Sequence, residues 1–233
     1  MGGAIIFSSC EEKHLQRDLA AYKAPFGYLH DSKQTRLEKK DSLYLIVKGI
    51  SFTDSTRVIA TNKIIVPLLV VNYFSTTMKV TLGKNSMMEP YTDFMYQSFL
   101  DEADRTAGFA VISEQDDSST IFEITVDSCY TTSVFRKRNW SVLLTLGVSS
   151  ETEQAEAALT HLYTTGRLKK NGVVLSEKKY AIISEPMYYL KRKVKTEEEM
   201  RSTLTNNLLE SLSLGTKKCV EYMIADLNSL LGR

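Results

Sequence analysis

Charged side chains crowd residues 11–41, from Glu11, Glu12 and Lys13 to Lys39, Lys40 and Asp41, with apolar residues thinly scattered among them. That pattern reads as an exposed tether and entry loop. At Leu43 it changes: Leu43-Tyr44-Leu45-Ile46-Val47 is a short apolar run, the signature of a strand covered on both faces. Residues 64–74 repeat it with more β-branched side chains. Pro67 within that run cannot donate a ladder hydrogen bond, so it belongs at a sheet edge or beside a bulge. Over residues 76–82, Met78, Val80 and Leu82 alternate against Thr77, Lys79 and Thr81, which predicts a half-buried strand.

From Pro90 the period lengthens. Tyr96, Phe99, Leu100, Ala103 and Ala107 fall at helical spacing, with Pro90 suited to the first turn and Gly108 to the stop. Strand character returns over residues 109–113 and 121–130, where Phe122, Ile124 and Val126 face one way and Glu123, Thr125 and Asp127 the other. Trp140, Val142, Leu144, Leu146 and Val148 alternate again. Residues 155–162 mix helix and strand formers. The Asn171-Gly172 pair is a two-residue hairpin signal, and it favours strands on both sides of that turn. After a basic connection over residues 186–196, Leu204, Leu208, Leu212, Gly215, Cys219, Met223 and Leu230 mark the inward stripe of a closing helix. Glu197, Glu198 and Glu199 suit its positive N-terminal dipole end.

Strands, helix, strands, helix is an α+β order. It predicts a single mixed or antiparallel sheet with two helices packed on one face, the two-layer arrangement that hides each helix stripe on the sheet. The expected organisation is residues 1–9 as a signal-peptide remnant, 10–41 as tether and 42–233 as one domain. A hydrophobic fraction of 43% with 24% charged residues suits a folded core rather than a disordered tail.

The formal charge is +1, which lacks the excess that draws proteins onto nucleic acid. The three cysteines, Cys10, Cys129 and Cys219, fit neither a disulfide framework nor a metal-ligand spacing, and the odd count asks for a separate role for one of them. Cys10 follows an apolar-to-small opening, Ala4-Ile5-Ile6-Phe7-Ser8-Ser9, and precedes Glu11, Glu12 and Lys13. This looks like the end of a lipoprotein signal peptide with Cys10 as the acylated residue, set against the plainer reading of an N-terminal strand with a free thiol, and two or three acyl chains give stable attachment.

Material for catalysis is sparse. Of His14, His30 and His161, two lie in the charged N-terminal stretch, leaving little for a histidine-activated nucleophile. Neither C-x-x-C nor H-E-x-x-H occurs, so no metal and no cofactor is expected. Gly83-Lys84-Asn85-Ser86 lacks the earlier glycine and magnesium-holding hydroxyl of a phosphate loop, and it reads as a turn. Arg136-Lys137-Arg138-Asn139-Trp140 joins three cations to an aromatic. Arg136, Lys137, Arg138 and Trp140 are the candidate membrane or partner contacts, set against the plainer reading of a solvated turn. Residues 188–195 carry the same two readings, and Tyr222 and Met223 are expected in the core.

The layout over residues 43–231, with Glu89-Pro90-Tyr91-Thr92-Asp93-Phe94 opening the first helix and residues 208–231 closing the chain, resembles the ABC-type transport auxiliary lipoproteins. Met88 stands where that family usually has tryptophan. The acidic pair after Cys10 resembles the start of surface lipoproteins in Bacteroidetes-type bacteria. The resemblance implies a non-catalytic lipoprotein of the bacterial outer membrane, periplasmic or surface-facing, that partners another protein in an envelope transport or assembly complex. Two alternatives remain: a soluble enzyme whose residues converge only in the fold, for instance Glu123, Asp127 and His161, or an oligomeric secretion component in which residues 134–150 contact lipid.

Overall fold

The computed structural model describes residues 3–23, 25–28, 37–49, 52, 55–67, 71–114, 120–142, 147–155, 157–184 and 197–231, with side chains at 3–11, 62–67, 71–74, 137–142, 147–155, 197 and 200 left aside. The elements run α1 (Gly3–Ala21), β1 (Asp41–Gly49), β2 (Arg57–Pro67), β3 (Val71–Thr81), α2 (Tyr91–Thr106), β4 (Phe109–Ile112), β5 (Thr120–Val142), β6 (Gly147–Ala155), β7 (Leu159–Lys170), β8 (Val173–Ile183) and α3 (Glu197–Leu231). A short 3-10 turn, Lys84–Ser86, follows β3. The class is α+β, with one mostly antiparallel sheet that the helices pack against.

Strand β5 is the spine of that sheet. Its first half pairs in parallel with β1, which pairs in parallel with β4, and antiparallel with β7, which carries β8. Its second half lies between β3 and β6, and β3 carries β2 at the edge. The far half is therefore a four-stranded antiparallel arm, β2-β3-β5-β6, continuous with a mixed five-stranded body.

One residue lets so long a strand serve one core. The β5–β7 register shifts between Val126 and Ser128, and this bulge reverses the side-chain alternation. Before it the inward set is Phe122, Ile124 and Val126; after it, Thr131, Ser133 and Phe135, all buried. Against this face α2 lays Phe94, Met95, Phe99 and Ala103, with Phe99 in ring contact with both Phe109 and Phe122. Helix α3 lays Leu204, Leu208, Leu212, Cys219 and Met223 on β5, β7 and β8. A Cβ on Gly215 would stand 3.3 Å from Thr160 Cγ2, so the missing side chain lets the long helix approach the sheet closely.

Several expectations are met: the helix from Pro90, the strands around Asn171-Gly172 with both residues at positive φ (51° and 76°), and the closing helix. Pro67 ends an edge strand whose register shifts between Ile64 and Val66. Other details differ. Only one face of β1 is fully covered, since Leu43 and Leu45 are buried and Tyr44 and Ile46 half-buried. Tyr222 and Leu230 are exposed, while Met223 is in the core.

The larger correction concerns the described residues from 10 to 28, the first part of the expected 10–41 tether, and the count of helices. Three helices contact the sheet, because residues 3–21 form α1 rather than an exposed tether. Its Leu15 and Leu19, spaced i, i+4, are buried at 6% and 1% exposure, and α1 packs on β2 and touches α3. Asp18 binds Arg201 of α3 at 3.1 Å. Beyond the helix, Phe26 stacks on Phe94 with centroids 4.4 Å apart, and the Tyr28 hydroxyl donates to Glu102 Oε2 at 3.1 Å. Among the described residues of α1, Lys13 and Arg17 lie exposed on its outer side.

Candidate functional site

The face of the sheet turned away from the helices carries a cluster of paired charges, three cations on two carboxylates. Glu123 stands opposite Ile46 of β1 and Arg167 of β7, and Arg167 stands opposite Glu177 of β8. Glu123 Oε2 accepts from Lys48 Nζ at 2.8 Å and Lys169 Nζ at 3.2 Å, while Arg167 donates through Nε to Glu177 at 2.7 Å. The Lys48 hydrogen bond, with help from Lys169, holds the Glu123 carboxyl below the usual carboxylate range. A carboxylate so held is a poor proton donor or acceptor near neutrality.

A folded-state pKa below the unfolded value means the stabilisation is complete above the unfolded value and fades as pH falls through the folded one. Glu123→Gln should therefore cost about 1 kcal/mol at pH 7. In urea melts the difference between variant and parent should be full at neutral pH and shrink as the pH falls below the ordinary glutamate value of about 4.3. Equal separation at pH 3 and pH 7 would contradict the assignment.

The three residues of the enzymatic alternative do not meet. Asp127 Oδ2 accepts from Thr165 Oγ1 at 2.7 Å, and His161 stacks on Tyr130 with centroids 4.6 Å apart and planes 15° from parallel. Glu123 is level with Arg167 and Tyr130 with His161, and six residues of strand separate these rows by about 20 Å. Among the described residues no group of acidic, histidine and cysteine side chains could hold a metal ion. Burial pushes the Cys219 thiol up to about 12 and also raises Cys129, so both are poor nucleophiles near neutral pH.

The stacked Tyr130–His161 pair, with Tyr163 and Ile183 beside it in the strand register, forms an apolar patch on the open face. It was legible in principle from the alternation of His161 and Tyr163 against buried Leu162. The opening strand of uncertain type concealed it. A groove of about 450 Å³ near the start of α2 is lined by Phe52, Met87, Met88, Pro90 and Tyr91 among others.

Arg136, Lys137, Arg138 and Trp140 lie in mid-strand, not in a turn. The β5 ladder runs unbroken through them to β3 on one side, with Arg138 opposite Ser75 and Trp140 opposite Tyr73, while toward β6 the register shifts once, between Arg136 and Lys137. The arm sets them in successive rows along one direction. Arg136 is exposed; the side chains of the other three lie outside the described residues, as do His30 and residues 188–195. Cys10 lies in α1, and its side chain is also outside the described set. Five residues separate it from buried Leu15, about 7.5 Å of helix rise. Among the described residues no helix is long and apolar enough to cross a membrane. Comparisons with family models, with curated proteins and with solved structures give no match.

Proposed function

We propose that the chain is a non-catalytic lipoprotein of the bacterial outer membrane, attached through acyl groups on Cys10, that serves as a binding subunit of an envelope transport or assembly complex. The observation that carries this reading is the docking of α1. Leu15 and Leu19 fasten the helix to the domain, so acyl groups on Cys10 would hold the folded unit against the membrane in one orientation instead of trailing it on a long leash. A fixed orientation suits a subunit that presents one surface to a partner, and the open sheet face with its Tyr130–His161 stack is the surface left for that partner.

The reading predicts that the native protein begins at Cys10, carries diacylglyceryl mass, and stays with membranes through a high-salt wash. Cys10→Ala should keep its upstream residues and leave the membranes in that wash. Recovery of native chain starting at Met1 with an unmodified thiol overturns the anchor. The second reading, lipid contact by residues 134–150, is favoured by one specific observation: the described ones among them, 134–142 and 147–150, fall on two adjacent paired strands, β5 and β6.

A further inference from the structure

Strand β8 closes one side of the sheet: among the described residues it pairs with β7 alone. Its apolar side chains are left in solvent, with Val173 63% exposed, Val174 49%, Leu175 57% and Ile183 55%. An apolar edge of this kind is a template for another strand. Lysines ordinarily guard such an edge. Here Lys178 turns instead to the helix layer, where its Nζ meets Asp226 of α3 at 2.7 Å.

The register shows which backbone groups the edge offers. Ser184 N–H donates to the Thr160 carbonyl of β7 at 2.9 Å, and the β7–β8 pairing is unbroken from Leu168 with Ser176 to His161 with Ile183. Successive residues of an antiparallel strand bond to alternate sides. Glu177, Lys179, Ala181 and Ile183 therefore turn their N–H and C=O groups away from β7, and all four are exposed.

A second β8 running antiparallel along this edge must set those residues against one another. A two-fold axis at Glu177 or at Lys179 puts like charges directly opposite, which is destabilising. An axis at Ser176 or at Tyr180 sets the charges against Leu175 or Ala181. Only an axis at Lys178 opposes Glu177 of each copy to Lys179 of the other, twice over, and it brings residues 173–175 of one copy alongside Ala181 and Ile183 of the other. We infer that β8 is a homodimer interface, two copies pairing antiparallel about Lys178 into one continuous sheet.

Such an interface is isologous, the same patch serving on both copies. The two Lys178 side chains at the axis are each matched by the Asp226 of their own chain. Arg167 holds Glu177 through Oε2 at 2.7 Å, which leaves Oε1 for the incoming Lys179 ammonium. Because the axis crosses the sheet at right angles, both helix layers fall on one side and both open faces on the other. The Tyr130–His161 patches of the two copies then share one surface. The pairing goes beyond the anchoring proposal and holds whether or not Cys10 is acylated.

The test uses full-length Cys10→Ala, whose remaining thiols, Cys129 and Cys219, pack in or against the core. In sedimentation equilibrium it should associate to twice the chain mass. Adding Glu177→Lys or Lys179→Glu places like charges across the axis at two positions, and each should weaken association about tenfold or more. An equimolar mixture of those two variants should recover it, since every opposed pair is then Lys with Glu, and a folding defect in either would not be repaired by mixing. Lys178→Cys gives a second readout. Opposed residues at the axis have Cα atoms about 4.5 Å apart, within disulfide reach, so oxidation by copper phenanthroline should yield a reducible dimer. Ile183→Cys should not cross-link, because its symmetry mate lies about 33 Å away along the strands. A chain that keeps its single mass up to the limit of solubility overturns the inference. Association that is unchanged in both charge variants, a mixture that fails to recover what each variant lost, or cross-linking of Ile183→Cys in place of Lys178→Cys overturns it as well.

Discussion

Leu19→Ala is expected to destabilise the protein by about 2–5 kcal/mol, the range for emptying a buried leucine site whose surroundings cannot collapse. The side chain is 1% exposed within the same core cluster as the sheet and the other two helices. The loss would appear as a lower urea midpoint with an unchanged slope. Single domains are stable by only about 5–15 kcal/mol, so this one truncation removes a large fraction. A leucine on a solvated tether would change stability by less than about 0.5 kcal/mol, and such a result would detach α1 from the domain. The outcome also bears on function, because with α1 undocked an acylated Cys10 would no longer dictate which way the domain faces.

Helix α1 has a physical reason for being hard to see in the sequence. Helical periodicity is recognised from a stripe of several apolar positions, and here only Leu15 and Leu19 are buried within the described part, amid His14, Arg17 and Asp18. In the described part, two leucines one turn apart are the buried apolar contacts, joined by the Asp18–Arg201 pair and the Ser86 bond to the Leu19 carbonyl. Nothing local announces the receiving surface. The stripes of α2 and α3 repeat over many turns, and both were legible. The hairpin at Asn171-Gly172 was legible for a different reason, since positive φ at both central residues selects those residue types directly.

Strand β5 shows the opposite failure. The alternation over residues 121–130 marks a strand, as observed, whereas the alternation of Trp140, Val142, Leu144, Leu146 and Val148 crosses from β5 to the antiparallel β6, with 143–146 outside the described residues, and the basic run before it suggests a turn where the strand continues. A bulge after Val126 shifts the period by one residue, so a single strict period of two cannot be followed across it. The basic residues then take row positions in a continuous ladder between β3 and β5. The charge cluster on Glu123 is likewise a product of pairing: Lys48, Arg167 and Lys169 come from two other strands. Composition displays the charges but not the partners.

Gly83→Ala is expected to cost about 3 kcal/mol, at the upper end of overpacking effects, although the sequence offered it as an ordinary turn glycine. An added Cβ would stand 2.2 Å from both Ser55 C and Thr56 N. These are backbone atoms, so no rotamer change can make room. The same site organises a directed chain of hydrogen bonds. Gly83 N–H donates to Thr56 Oγ1 at 3.0 Å, Ser86 Oγ donates to the Leu19 carbonyl at 2.9 Å, and the Thr56 and Ser86 hydroxyls lie 2.6 Å apart. With the Ser86 proton committed to Leu19, Thr56 must donate to Ser86. Thr56 and Ser86 are both 1% exposed, so a displaced turn leaves buried hydroxyls unpaired, each an added cost. Gly27→Ala is the matched control, since its Cβ would meet nothing within 4 Å, and it should stay within about 0.5 kcal/mol of the parent. Because the chain ends on α1, hydrogen exchange in Gly83→Ala should accelerate first at the amides of residues 15–21, before the amides of β5 and β7. Uniform acceleration across the sheet would instead make Gly83 a general packing position with no special hold on the helix that carries Cys10.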